Sequence, residues 1–328
     1  MHTAGEPLRI VVDGYPPLTG DTILAKRRDA MENHDHLRRI LMLEPRGHAE
    51  MYGAIVTEPC DPRADAAVLF MHNSGYSTMC GHATIALGRY LIDQAIVPKV
   101  EPKTDFVLEC PCGPVSVSTE ITGGRAATVS FESIPCFADR IGATTQVPGI
   151  GALTYDIGFG GAYYAIFPAS EIGVSLATAP MDDLHRAACA IICHLRETIS
   201  IQHPDDDDLA FLYGAIITDE GAALRGGRTR NLCVFGDGQV DRSPTGSGIS
   251  ARIAVHAAKG SIKVGDEREF AGLTNQSFVG KFLREESDGI IVGVSGTSFY
   301  TGKSSFVVEA NDPLGEGFGS IERLSDFS

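Results

Sequence analysis

Two stretches half a chain apart constrain this sequence more than any other feature. The first, Ser77-Thr78-Met79-Cys80-Gly81-His82-Ala83-Thr84-Ile85-Ala86, sets a thiol at a turn with an amphipathic run behind it. Ala83, Ala86, Leu87, Tyr90 and Leu91 keep the spacing of a helix that turns one face inward. Ser77, Thr78 and Gly81 mark its entry. Cys80 is therefore expected at the positive end of a helix, where free backbone N–H groups and the dipole lower a thiol's pKa and attract anions. The second stretch, Asp241-Arg242-Ser243-Pro244-Thr245-Gly246-Ser247-Gly248-Ile249-Ser250-Ala251-Arg252, repeats the logic with Thr245-Gly246 where Cys80-Gly81 stood. Ser250, Ile253, Ala254, Ala257 and Ala258 carry its helical spacing. The two apolar stripes do not superpose further, so the internal repeat is faint. Two turn-to-helix entries in two halves nevertheless predict a pseudo-symmetric pair facing one cleft.

Length and charge narrow the classes of function. With 328 residues there is room for two ordinary domains. A net charge of −15 argues against nucleic acid and anionic membrane surfaces as partners. It does not argue against a small zwitterion, which responds to the local field of a cleft. No apolar run reaches the ~18–20 residues that span a bilayer, and the first residues lack the pattern of a signal peptide. Eight cysteines without a secretion signal point to reduced thiols in a cytoplasm.

Along the chain, residues 8–12 read as a strand, 21–43 as one helix, and 50–56 and 66–72 as strands. The Cys80 helix is expected to run to about Ala95. Three strand-like segments between 104 and 134 are punctuated by glycine and proline, which describes hairpins rather than a βαβ series. The Gly-, Thr- and Pro-rich stretch 142–151 is taken as the boundary between two domains: residues 1–145 with 308–328, carrying Cys80, and 146–307, carrying Thr245. Gly158, Gly160 and Gly161 do not form a dinucleotide loop, because Tyr163–Phe167 continues as a strand; they suggest close backbone approach near a ligand. A helix is expected over 181–199, and strands over 210–217, 230–235, 268–273, 277–284, 289–298 and 304–309. No metal site is expected. His34 and His36 fall on different sides of their helix, Cys110-Pro111-Cys112 lacks a second pair, and the His185, Cys189 and Cys193 row reads as packing. The run Asp205–Asp208 reads as a solvated loop.

The chemistry can be set out from these residues. A thiol at one helix entry and a hydroxyl at the other face a common space. The N–H groups of Gly81, His82, Gly246 and Ser247 would converge there on an anion, for which a carboxylate is the natural guest. Asp241 and His82 could then hold an amine. This describes an amino-acid site with a base poised over Cα, and no phosphate loop, haem motif, metal spacing or Schiff-base lysine motif accompanies it, so no cofactor is expected.

The same residues resemble those of the proline racemase family. One family motif, Met-Cys-Gly-His, stands unchanged at Met79–His82. The other, Asp-Arg-Ser-Pro-Cys-Gly-Thr-Gly, appears at Asp241–Gly248 with Thr245 for cysteine and Ser247 for threonine. The resemblance runs from His2-Thr3-Ala4-Gly5-Glu6-Pro7-Leu8-Arg9 through Glu44–His48 and Asp156–Gly161 to Asn311–Gly315. It implies an α+β fold of two pseudo-symmetric diaminopimelate-epimerase-like domains, each a β-rich, barrel-like sheet around a central helix, with the active site in the cleft between them and the final segment returning to the first domain. The cysteine-to-threonine change is the pattern of the branch that dehydrates trans-3-hydroxy-L-proline. The implied reaction is cofactor-independent loss of water to give 1-pyrroline-2-carboxylate, with Cys80 abstracting the α-proton and Thr245 closing the opposite face. Gly81, His82, Gly246 and Ser247 would bind the carboxylate or amine side, Asp241 the ring nitrogen, and Phe235 would form an apolar wall. The partner is a small imino acid, and a monomer or homodimer is expected. A hydroxyproline 2-epimerase or proline racemase, and a catalytically silent imino-acid-binding protein, are the competing readings.

Overall fold

A computed structural model describes residues 1–219 and 227–319. Among these, the five α-helices are α1 (Ile23–Asn33), α2 (Asp35–Met42), α3 (Gly81–Asp93), α4 (Met181–Thr198) and α5 (Gly246–Ala258). Strands make up most of the remaining regular structure. In the first half, Lys103–Cys110, Gly113–Thr122 and Arg125–Glu132 form an antiparallel meander. Ala66–His72 joins it in parallel, and Tyr52–Thr57 and Arg9–Val11 follow on the outer side. In the second half, Phe137–Val147, Gly151–Phe159 and Tyr163–Pro168 form a meander. The crossover through α4 brings Leu212–Thr218 alongside Tyr163–Pro168 in parallel. Arg228–Phe235 then leads to Glu267–Ala271, Ser277–Glu286 and Gly289–Gly296. This last strand pairs with Arg125–Glu132 and makes one hydrogen-bonded path through both halves.

Each half wraps its strands around one 13-residue helix, α3 or α5. Both helices are buried on almost every side, which explains why their apolar stripes are poorly defined: a helix enclosed by sheet needs small residues all round rather than one face. Gly88 of α3 shows the requirement, since a Cβ there would lie 2.4 Å from a methyl of Val129. Gly158 and Gly160 show it for α5. Added Cβ atoms would meet the carbonyl oxygens of Ala251 at 2.7 Å and Ser247 at 2.1 Å. The close approach read from these glycines is thus to the backbone of α5.

Several expectations are corrected. The helix over 21–43 is two helices, broken at His34, whose φ of −130° ends one and precedes the other; Asn33 and His34 are both weak helix formers. The stretch 142–151 is no linker. Phe137–Val147 pairs with Gly151–Phe159 along its length. Gly142, at φ +62°, sits in the bulge of this edge strand, which is why its composition reads as loop. Residues 304–309 form no strand; they are exposed and held by side chains, with Arg9 over the Phe306 ring and Arg46 donating to the Val307 carbonyl. Ser298–Phe299 pairs with His2–Thr3. Of the final segment 308–328, the part beyond 319 lies outside the described residues.

Candidate active site

The starts of α3 and α5 meet at their glycines. A Cβ on Gly81 would lie 2.4 Å from the Cα of Gly246, and one on Gly246 would lie 2.6 Å from the Cα of Gly81. Only two residues without side chains allow this contact, and it aims both sets of first-turn N–H groups at one place. Gly81, His82, Gly246 and Ser247 have no acceptor within their own helices for those groups. The sequence-predicted residues are thereby gathered, and Cys80, His82, Asp241, Thr245 and Ser247 are each no more than 5% exposed. The site is closed to solvent.

Cys80 is the N-cap of α3. Its sulfur accepts from the Ala83 N–H at 3.4 Å and lies 3.1 Å from Nδ1 of His82. Burial holds the His82 imidazole neutral, with its pKa down at about 3. One expectation fails here. The thiol of Cys80 is pushed well up, not down, because burial outweighs the Ala83 N–H and the nearby Tyr52 hydroxyl, and Asp241 and Glu6 act in the same direction as burial.

Thr245 is the N-cap residue of α5, but it does not cap: its side chain makes no bond to the helix, and its buried Oγ1 has no hydrogen-bond partner. Its φ of +63° is uncommon for a β-branched residue and is the kind of strain held at functional sites. The turn before it supports that conformation. Ser243 N–H donates to Asp241 Oδ1 at 2.7 Å, and Thr245 N–H donates to Ser243 Oγ at 3.1 Å. Burial raises the Asp241 carboxyl to about 6. Ser247 Oγ is 2.7 Å from the Tyr164 hydroxyl.

Phe235 belongs to an aromatic wall. Its ring stacks on Tyr213 at 5.5 Å and meets His72 and Tyr52 edge-on. Tyr52 also packs against the His82 ring at 4.8 Å, and its hydroxyl bonds Ser77 Oγ. Tyr52, Ser77, Tyr213 and His72 were not predicted for the site, because on apolar strands they look like core. Cys233, also unpredicted, is a buried thiol close to Thr245 and Asp241, and burial raises its pKa well up. Glu6 and Arg242 complete the far side. Glu6 Oε2 accepts from the backbone N–H of Arg242 at 2.7 Å and from its Nε at 3.0 Å, while Arg242 also pairs with Glu50. With Gln239 donating to Asn73 and Thr78 to the Gly161 carbonyl, these bonds tie the halves across the cleft. Outside lies a groove of about 700 Å³, lined by His48, Glu50, Asn73, Gln239 and Arg242 among others. On the same groove, His185 bonds the Gly238 carbonyl and lies 3.5 Å from Cys189.

The glycine contact carries a prediction. Gly81→Ala forces the helix starts apart, at a strain of about 1–3 kcal/mol, and the displaced groups lower kcat/KM about a hundredfold. Steady-state kinetics beside circular dichroism check it; unchanged kinetics in the folded variant count against the contact.

Comparison with known proteins gives the family and the fold. A family model described as proline racemase matches residues 1–319. A trans-L-3-hydroxyproline dehydratase of Xenopus tropicalis is 46% identical over 324 residues, covering 97% of this chain and 93% of that protein. The human trans-3-hydroxy-L-proline dehydratase is 46% identical over 327 residues, with 97% and 92% covered. Among solved structures, a hydroxyproline epimerase from Agrobacterium vitis with bound trans-4-hydroxy-L-proline superposes with a TM-score of 0.90 at 25% identity, covering 97% of this chain and 92% of that one. A probable proline racemase from Agrobacterium radiobacter K84 with bound carbonate gives 0.90 at 26%, covering 97% and 95%.

Proposed function

Because this chain belongs to the proline racemase family, we propose that it is a hydro-lyase that converts trans-3-hydroxy-L-proline to 1-pyrroline-2-carboxylate and water. The observation that carries the reading is the asymmetry of the paired helix starts: a sulfur at α3 and a threonine at α5. A threonine hydroxyl is too weak an acid and base near neutral pH to serve the second face of Cα. Chemistry with one base remains.

In this reading the substrate carboxylate lies against the N–H groups of Gly81, His82, Gly246 and Ser247, where both helix dipoles favour a negative charge. Asp241 faces the ring nitrogen and Phe235 walls the ring. Cys80 as thiolate takes the α-proton: the Cα–H bond breaks, an S–H bond forms, and the electron pair becomes a double bond to C3. The C3–O bond breaks, and the sulfur returns its proton to the departing oxygen, which leaves as water. The α-hydrogen and 3-hydroxyl share one ring face, so a single sulfur can serve both. The enamine then moves its N–H proton to C3 to give the cyclic imine. Thr245 closes the opposite face. The neutral His82 ring, 3.1 Å from the sulfur, helps to position it.

For the chain as a whole we place the first unit around α3 and the second around α5, the boundary ahead of Phe137 and the return at Ser298. This is supported by the pairing of Phe137–Val147 with the second half and of Ser298–Phe299 with the first. We also propose a cytoplasmic location, for which the support is eight free thiols, and a monomer or homodimer, as the family resemblance implies.

The test is a product assay in deuterated water on trans-3-hydroxy-L-proline, trans-4-hydroxy-L-proline and L-proline. Water loss and the cyclic imine are expected from the 3-hydroxy compound alone. Inverted, deuterium-labelled substrate without water loss would defeat the reading and make the Cys233 thiol a candidate second base.

A further inference from the structure

Glu6 is wholly buried, and its Oε1 has no hydrogen-bond partner. It lies beside Asp241, which is itself buried, and close enough to Cys80 and Cys233 for its charge to be felt at both sulfurs. Three carboxyls, Glu6, Glu50 and Asp241, stand around one guanidinium, that of Arg242. An unpartnered carboxyl oxygen in such a place is costly; burial and the neighbouring Asp241 push Glu6 towards its protonated form, and a cation that enters the site would relieve the cost with the carboxylate ionised. The zwitterion of an imino acid brings one. Its carboxylate belongs at the helix starts, which leaves a secondary ammonium group with two N–H bonds on the side where Glu6 and Asp241 stand. One carboxyl cannot take both bonds in good geometry when they diverge from a ring nitrogen.

We propose that Glu6 is the second acceptor for the ring nitrogen, so that Oε1 of Glu6 from the first half and the carboxyl of Asp241 from the second each receive one N–H of the bound ammonium group. The inference rests on the reading of the site as one for a cyclic imino acid. It adds that the ligand's cation bridges the two halves, so binding and closure are one event. Glu6 also holds the N–H and Nε of Arg242. A merely structural role would consist of that anchoring alone.

The two roles separate in thermal melts and calorimetric titrations of Cys80→Ser protein, which leaves trans-3-hydroxy-L-proline unconsumed. Adding Glu6→Gln keeps an oxygen for Arg242 and removes the charge. If Glu6 receives the ammonium group, the melting temperature without ligand stays level or rises, while affinity for trans-3-hydroxy-L-proline falls about ten- to a hundredfold. A lower melting temperature or an unfolded variant, or full affinity in the folded one, overturns the proposal. Failure of the product assay strikes the dehydration reading instead, whereas retained affinity in Glu6→Gln strikes only the role of Glu6.

Discussion

Cys80→Ser lowers turnover of trans-3-hydroxy-L-proline by about a thousandfold or more, with the fold unchanged. The expectation follows from where the sulfur sits. It caps α3, accepts from the Ala83 N–H and touches the His82 ring, and a serine oxygen can keep the cap. What it cannot keep is the acidity. The buried thiol is already raised well above its ordinary range, and an alcohol in the same surroundings stays protonated throughout the working pH range. Burial is the larger cause of that rise, and a cationic ring nitrogen bound beside Asp241 and Glu6 would offset the smaller part that their carboxyls add. Product formation followed by chromatography, beside circular dichroism and a thermal melt, checks the prediction. Turnover of a tenth or more of wild type would remove Cys80 from the role of base.

Thr245→Cys adds an activity. With a sulfur at each helix start, a proton can leave one face of Cα and return on the other, and α-epimerisation of trans-4-hydroxy-L-proline or L-proline should rise at least about a hundredfold above wild type. The position favours the exchange. The backbone at φ +63° is harder for a β-branched threonine than for cysteine, and the threonine side chain makes no bond to its helix that would be lost. The incoming sulfur would stand at the start of α5 as Cys80 stands at the start of α3. Chiral chromatography with deuterium incorporation at Cα reads the gain. A folded variant with none would mean that the opposite face is closed by something other than the side chain at 245, with the neighbouring Cys233 thiol and Tyr164 the first groups to inspect.

The two-motif organisation was legible because it is local. Cys80-Gly81 and Thr245-Gly246 each announce a helix start within a few residues, and those starts are observed at Gly81 and Gly246. Ala66–His72 and the helix at Met181–Thr198 were legible for the same reason, through periodicity and its punctuation. The misreadings share a different cause. An edge strand bearing Gly142 at positive φ has the composition of a linker, and the β-branched run at 304–309 has the composition of a strand but no neighbour to pair with. Composition reports what a segment tolerates; the partner decides what it becomes.

The family, the two helix starts and the substitution of Thr245 for a second sulfur are readable from the residues alone, because they are written in contiguous stretches whose chemistry does not depend on distant contacts. The fold had to bring together the two touching glycines, Glu6 beside Asp241, and the Tyr52 and Tyr213 rings around the site, and it is burial in the fold that raises the Cys80 thiol instead of lowering it. Each of those is a matter of which groups far apart in the chain are brought together away from water. In a closed cleft the loss of water and the nearness of like charges outweigh the helix dipole that the local pattern announces.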